Sequence, residues 1–195
     1  MQSVASVMTL GMNMILMPYS ELAISVYSVY AKLQQFIFMP VMGMNSALIA
    51  IVGYNYGAQK KQRIYQATRY SLIAAAAIMA LGTLLFQLAP QTLLGMFNAS
   101  AEMLEIGIPA LKTISLSFVF AGVSIVLCSI FQALDDGMLS LWVSLGRQLI
   151  LVLPLAWLLS AWGGLNRLWL AFVISEAICC LLYTSPSPRD RSLAR

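Results

Sequence analysis

The sequence predicts an all-α, polytopic membrane protein, and three observations support this class. Of its 195 residues, 61% are hydrophobic and only 9% are charged, whereas ordinary soluble domains carry about 25% charged residues. Uncharged runs of membrane length recur along the chain, and in a bilayer a run of about 20 apolar residues must be helical to satisfy its backbone. Short polar loops separate these runs. We therefore expect a lobe of six transmembrane helices over residues 1–183.

The six spans follow the uncharged runs. The first contains Asn13 and begins without a polar flank, so we interpret it as a truncated helix. The second, residues 24–54, would measure about 46 Å against about 30 Å of hydrocarbon, so it must tilt, bend or project from the membrane. The approximate bounds of the six spans are 1–18, 24–54, 70–89, 104–134, 139–162 and 167–183.

The second span contains the candidate lining of a substrate cavity. Pro40 removes a helical hydrogen bond, and in hydrocarbon the freed carbonyl needs a neighbouring helix or a water-filled cavity. We therefore predict a broken or kinked helix beside a cavity, with the general frequency of Pro and Gly in membrane helices as the alternative. One or both glutamines outward of the bend should face this cavity, unless they bond to another helix. The candidates are Gln34, Gln35, Phe36, Pro40 and Gly43.

The third span, 70–89, is rich in small residues that allow close helix contacts. Pro90 ends it, and a short amphipathic segment follows. Ser100 is the predicted N-cap of the fourth span, with Glu102 in the first turn. Asp135 and Asp136 then form a turn, which we interpret as solvated because adjacent carboxylates point in different directions.

The last two spans each carry a charge at membrane depth, Arg147 in the fifth and Glu176 in the sixth. Counting 1.5 Å per residue from the span ends places both near the bilayer centre, within about one helical turn of each other. We expect them to pair, which lowers the cost of burying either charge. The pair would either fix helix packing or take part in proton coupling, and Lys32 is an alternative partner for Glu176.

Loop charges predict the orientation, because short loops rich in Lys and Arg stay in the cytoplasm. Residues 55–69 contain Lys60, Lys61 and Arg63 and end at Arg69, without an acid, whereas residues 70–111 contain two glutamates and no basic residue. We expect the chain start and the loop 55–69 to be cytoplasmic, in the inner (plasma) membrane.

Composition also excludes several classes of site. Histidine is absent and only three cysteines occur, which excludes Cys/His metal sites and His-activated nucleophiles. We expect no cofactor and no metal. The net charge of +4 comes from scattered residues and a basic tail, so we expect no nucleic-acid partner. The run CLLYTSPSPRD, residues 180–190, resembles a translated transposase sequencing adapter. We therefore interpret the tail, residues 184–195, as non-native and disordered.

Much of the chain resembles the carboxy-terminal half of a multidrug and toxic compound extrusion (MATE) transporter. The residues that carry the likeness are KLQQFIFMPVMGMNSALIAIVGYNYGAQKK, FNASAEMLEIGIPALKTISLSF, SIFQAL and RQLILVLPLAWLLSAWGGLNRLWLAFVISE. The resemblance implies a parent of twelve helices in two lobes, with an amino-terminal lobe preceding this chain. It also implies antiport: protons or sodium ions flow inward while a small organic substrate, often cationic, leaves.

The chain departs from one branch of that family, whose members place coupling carboxylates on the helices that correspond to the first and fourth spans. Residues 1–18 and 113–134 contain no Asp or Glu. The coupling carboxylate is therefore expected in the amino-terminal lobe, as in the other bacterial branch.

Two other functions remain as alternatives. A lipid-linked oligosaccharide flippase of related architecture should have more cavity cations than Lys32, Lys112 and Arg147. A membrane-embedded lipid-modifying enzyme would have to depend on Asp135 and Asp136, since general acid–base or metal catalysis needs clustered acids.

Overall fold

A computed structural model describes the backbone of residues 2–133 and 145–184, and the side chains of residues 6–133, 145–146 and 149–181. Within these ranges all regular structure is helical, which confirms the all-α lobe. Three helical segments in these ranges, Glu21–Gly57, Lys61–Leu88 and Leu149–Leu168, are long and apolar enough to cross a membrane, and a bent pair of helices forms a fourth such unit. The helices are α1 Gln2–Leu16, α2 Glu21–Gly57, α3 Lys61–Leu88, α4 Pro90–Gly95, α5 Ala101–Ser115, α6 Ser117–Ala133, a π-helix Gly146–Val152 that continues into α7 Leu153–Leu168, and α8 Leu170–Thr184.

Serine side chains cap two of the helices. The Ser20 hydroxyl accepts a hydrogen bond from the Leu22 amide at 2.9 Å at the start of α2. Ser100 accepts from the Met103 amide at 3.3 Å at the start of α5, as the sequence predicts. Each cap satisfies an amide that lacks a partner within its own helix.

Two helix boundaries differ from the sequence prediction. The segment 55–69 is mostly helix, because α2 continues to Gly57, α3 begins at Lys61, and only three residues connect them. Hydropathy marks the membrane edge, whereas a helix can continue into water. The span 104–134 consists of α5 and α6, which meet at Leu116 with a bend of 44°.

Close packing fixes the relative depth of the antiparallel helices α2 and α3. A Cβ built on Gly82 would lie 2.6 Å from Ile37 Cγ2, so these two residues lie at the same depth. Because the helices are antiparallel, Ala50, 13 residues after Ile37, lies opposite Arg69, 13 residues before Gly82. Ala50 is also 18 residues after Lys32. That separation is a rise of about 27 Å, close to the hydrocarbon thickness of about 30 Å. We therefore infer that Lys32 and Arg69 mark the two edges of the apolar core, and we name the Lys32 edge outer and the Arg69 edge inner after the orientation predicted from the loop charges.

An aromatic cluster in the outer half of the lobe joins α2, α3, α6 and α8. Phe118 of α6 packs edge-on against Phe86 of α3 and Phe38 of α2, with ring centroids 5.1 and 5.6 Å apart. Tyr30 of α2 contacts Phe172 of α8 at 6.1 Å. This cluster fixes the orientation of α2, and thereby decides which face of α2 is left uncovered.

The outer ends of α1 and α7 are also joined. The Tyr19 hydroxyl donates to the Ser160 carbonyl at 2.7 Å. Gly164 then breaks α7 with φ of 69°, a conformation that glycine adopts without strain. This break starts the turn that leads into α8.

Candidate functional site

One face of α2 is not covered by the other described helices, and it is chemically mixed. Its buried face consists mainly of apolar residues such as Leu33, Val41 and Leu48, with the buried Asn55 near the end of the helix as a polar exception. Exposed residues recur every three or four positions along the other face, as on one side of a helix. They are Lys32, Gln35, Phe36, Met39, Pro40, Met42, Gly43, Ser46, Ala47, Ala50, Ile51 and Tyr54. We call this set the α2 face.

The exposed face of α3 provides a comparison at the same depths. From Ile73 to Leu88 every exposed residue of α3 is apolar: Ile73, Ala77, Ala80, Leu81, Leu84, Leu85 and Leu88. Such a surface suits contact with lipid. The α2 face instead includes an ammonium group at the edge of the apolar core, an amide and a serine hydroxyl, and polar groups within spans usually face a bundle interior or a water-filled cavity. The α2 face thus differs from a surface suited to lipid, and its place beside a cavity stays a prediction.

A groove of about 380 Å³ lies at the outer end of the α2 face, lined by Lys32, Gln35, Phe36, Met39 and Phe97. Its volume falls within the usual range for small-molecule sites. Phe97 comes from the segment after α4, and the Lys32 Nζ lies 5.9 Å from the centroid of its ring. That distance permits a cation–π interaction. The groove thus combines one cation and one amide with two aromatic rings and a thioether.

Only some of the candidate residues predicted from the sequence line the groove. Gln35 and Phe36 line the groove. Pro40 and Gly43 lie further inward on the same exposed face, outside the groove. Gln34 is half-buried and lies around the helix from the groove. Whether any of these residues contacts substrate stays a prediction.

Three lining residues, Lys32, Met39 and Phe97, were not among the predicted site residues. Helical spacing offered a signal for two of them, because Lys32 and Met39 lie three or four positions from Gln35 and Phe36. Phe97 lies more than 60 residues away in sequence. Only the packing of the segment after α4 brings it to α2.

Pro40 does not interrupt α2, which remains helical from Glu21 to Gly57, so the predicted break is absent. A bend without a break stays a prediction. Proline has no amide hydrogen, so the carbonyl of Phe36 loses its usual helical donor. Both residues are exposed, and this carbonyl adds a further polar group to the α2 face.

The bend between α5 and α6 frees backbone carbonyls, but side chains of α3 occupy them. The Gln87 amide donates to the Lys112 carbonyl at 2.8 Å and to the Ser115 hydroxyl at 3.1 Å. The Thr83 hydroxyl lies 3.0 Å from the Ser115 carbonyl and 2.9 Å from the Met79 carbonyl of its own helix, so these two acceptors share its one hydrogen. Carbonyls at broken helices coordinate coupling ions in some transporters. Here the Lys112 and Ser115 carbonyls already accept hydrogen bonds from the protein.

The two intramembrane charges are only partly described. Glu176 is half-buried on α8, one turn beyond Phe172, which packs against both Tyr27 and Tyr30 of α2. This contact places Glu176 within about one turn of the depth of Lys32, nearer the outer edge than the sequence count suggested. The side chain of Arg147 lies outside the described residues, as do Asp135 and Asp136. The pairing of Arg147 with Glu176 stays a prediction.

Among the described side chains, no group of three or more His, Cys, Asp or Glu residues is placed to hold a metal ion.

The sequence profile of the MatE family matches residues 1–158. The chain belongs to the MatE family. Among curated relatives, it is 21% identical over 173 residues to the multidrug export protein MepA of Staphylococcus haemolyticus, which covers 89% of this chain and 38% of MepA. It is 24% identical over 178 residues to MepA of Staphylococcus aureus strain MSSA476, with coverage of 88% and 38%. The chain therefore spans about two fifths of these MatE relatives.

Solved structures of MATE transporters share the fold of this MatE-family chain. The MATE multidrug transporter DinF-BH, solved in complex with rhodamine 6G, is 31% identical with a TM-score of 0.83 over 97% of this chain and 43% of that one. An outward-facing multidrug resistance MATE transporter is 20% identical with a TM-score of 0.87, covering 93% and 41%. The Vibrio cholerae transporter VcmN in its bent form is 19% identical with a TM-score of 0.87, covering 93% and 42%. The resemblance noted in the sequence is confirmed.

Proposed function

We propose that this chain is the carboxy-terminal lobe of a secondary transporter that exports organic compounds, with the α2 face lining a cavity between two lobes. The observation that carries the proposal is the mixed polarity of the α2 face beside the uniformly apolar exposed face of α3. Lys32 lies at the edge of the apolar core, but a helix that faced lipid on this side would place the Gln35 amide and the Phe36 carbonyl against hydrocarbon without hydrogen-bond partners, at considerable cost. The names of the MepA relatives and the DinF-BH structure with rhodamine 6G support export of organic molecules.

Transport would proceed by alternating access, in which one lobe moves against the other around a central site. The helices of this lobe pack closely, and a closely packed lobe would move as one rigid unit. Glycines let α3 approach α2 and α6, because a Cβ at Gly82 would meet Ile37 at 2.6 Å and one at Gly122 would meet Met79 at 2.8 Å. The aromatic cluster around Phe118 further joins these helices.

Coupling would use an inward flow of protons or sodium ions, with the coupling carboxylate in the amino-terminal lobe. Two features support this assignment. Neither α1 nor α6 contains an Asp or Glu, and the carbonyls of Lys112 and Ser115 at the α5–α6 bend already accept hydrogen bonds. Glu176 on α8 has two candidate roles, which are to support helix packing or to take part in coupling.

The orientation follows from charge and depth. Lys60, Lys61 and Arg63 lie beyond the inner edge marked by Arg69, and we place them in the cytoplasm under the positive-inside rule. Lys32 and the groove then lie at the outer edge of the membrane. Substrate would leave past this groove.

The experiment that tests this function is efflux from proteoliposomes that contain the complete transporter. Rhodamine 6G should move against its gradient when an inward proton or sodium gradient is imposed, and should stop when both gradients are dissipated. Movement that is independent of either gradient would contradict coupled antiport.

A further inference from the structure

The groove at the outer end of the α2 face carries a positive charge where an exporter of organic cations has no need of one. We propose that this groove binds the anionic group of an aromatic carboxylate substrate, with the carboxylate at Lys32 and the ring system along Phe36, Phe97 and Met39. The proposal rests on the proposed function and specifies its substrate class. It concerns organic acids and zwitterions rather than simple cations.

Charge is the first support. Lys32 is exposed on the α2 face, and among the described residues no carboxylate forms a salt bridge with it. The Phe97 ring, 5.9 Å from its Nζ, leaves ammonium hydrogens available. No acidic residue lines the groove. An organic cation placed there would meet a like charge without a compensating carboxylate, whereas a carboxylate would gain a charge-assisted hydrogen bond.

The second support is the order of groups along the groove. Gln35 lies within one helical turn of Lys32, so its amide can donate to the same carboxylate. Phe36 follows, and Met39 lies seven residues after Lys32, about 10.5 Å further into the membrane. Polarity therefore decreases inward from the outer edge of the hydrocarbon. A molecule with an anionic end and a flat apolar body fits this order.

The aromatic rings favour a planar body over an alkyl chain. Phe36 and Phe97 both line the groove, and aromatic pairs gain energy from stacked or edge-on contact beyond their buried area. A phospholipid is a poorer fit, because each of its two chains spans half the hydrocarbon, about 15 Å. The lined wall ends after about 10.5 Å.

A matched pair of probes measures how much the carboxylate of the bound molecule contributes to affinity. Rhodamine B carries a free carboxylate, and its ethyl ester differs only by blocking that group. Binding of each probe to the complete transporter in lipid nanodiscs would be measured by fluorescence anisotropy, with empty nanodiscs as the blank. The wild-type transporter should bind rhodamine B more tightly than the ester, and tighter binding of the ester would overturn the proposal without any variant.

Variants then assign the preference to Lys32. Lys32→Met should weaken rhodamine B binding about tenfold, the usual value of one hydrogen bond to a charged group, and should leave ester binding unchanged or improved. Lys32→Arg should retain most of the preference. Lys112→Met is the matched control, because Lys112 lies near the same depth but does not line the groove. Equal losses for both probes, or an effect of Lys112→Met as large as that of Lys32→Met, would overturn the proposal.

Two further outcomes are distinguished by design. Displacement of rhodamine B by added dioleoyl phosphatidylglycerol, dependent on Lys32, would make the groove a lipid site and overturn the proposal. Binding requires no ion gradient, so failure of coupled efflux with intact, Lys32-dependent rhodamine B binding would contradict the proposed function alone.

Discussion

Lys32 and Phe97 meet across the outer end of the lobe, with the Lys32 Nζ 5.9 Å from the centroid of the Phe97 ring. The contact joins the mixed face of α2 to the segment that follows α4, and it closes one side of a groove of about 380 Å³. Phe97 thus adds a second wall to the groove beside the exposed face of α2.

The first prediction concerns the hydrogen bonds that α3 donates at the α5–α6 bend. Gln87→Ala removes one of two donors to the Lys112 carbonyl, which also accepts from the Ser115 hydroxyl at 2.9 Å, so the loss is that of one hydrogen bond, about 0.5–1.5 kcal/mol. We expect a lower apparent melting temperature in detergent, measured by fluorescence size-exclusion after heating. Gln35→Ala is the matched control, because the Gln35 amide is exposed on the α2 face. Equal melting temperatures for the two variants would show that Gln87 does not support the bend.

The second prediction concerns the contact between α2 and α3. Gly82→Ala places a methyl group 2.6 Å from Ile37 Cγ2, and overpacking of this kind costs about 1–3 kcal/mol. The same heating assay should show a destabilised transporter. Gly43→Ala is the control, since a Cβ there meets nothing within 4 Å. If Gly82→Ala melts like Gly43→Ala, the depth register drawn from this contact is wrong.

The third prediction is that this chain does not transport by itself. The cavity requires two lobes, and alternating access is the motion of one lobe against the other. Proteoliposomes containing only residues 1–183 should show no proton- or sodium-driven efflux of rhodamine 6G, while the complete transporter does. Robust gradient-dependent efflux by the isolated chain would exclude the half-transporter interpretation.

The fourth prediction separates two roles for Glu176, which is half-buried on α8. If Glu176 only supports packing, Glu176→Gln in the complete transporter should reduce the amount of folded protein and leave the pH dependence of efflux unchanged in what remains. If it is a coupling acid, folded protein should be normal and pH-dependent efflux should be lost. We expect the packing result, because we propose that the coupling carboxylate lies in the other lobe.

Much of this architecture follows from local chemistry that the sequence displays. The helical class, the Ser100 cap and the periodicity that places Gln35 and Phe36 on one face depend on composition and spacing alone. The helices extend into the predicted loop 55–69, with α2 continuing to Gly57 and α3 beginning at Lys61, because hydropathy marks the end of an apolar run and not the end of a helix.

Other features depend on contacts between residues distant in sequence. The bend at Leu116 has no proline or glycine within it, and the Gln87 and Thr83 side chains of α3 contact the carbonyls beside it. Phe97 enters the groove only because the segment after α4 packs near Lys32. Spacing within a single helix contains no information about either contact.

The most direct test of the central claim compares the water accessibility of α2 and α3 at one depth. The register that pairs Ile37 with Gly82 also places Met39 opposite Ala80, and both residues are exposed on the lobe. In a complete transporter whose native cysteines are replaced by serine, Met39→Cys should react with the membrane-impermeant reagent MTSET, because it faces the cavity. Ala80→Cys, about 10.5 Å inside the hydrocarbon, should remain unmodified because it faces lipid. Equal modification of the two cysteines, or protection of Met39→Cys in every conformational state, would contradict a cavity lined by the α2 face.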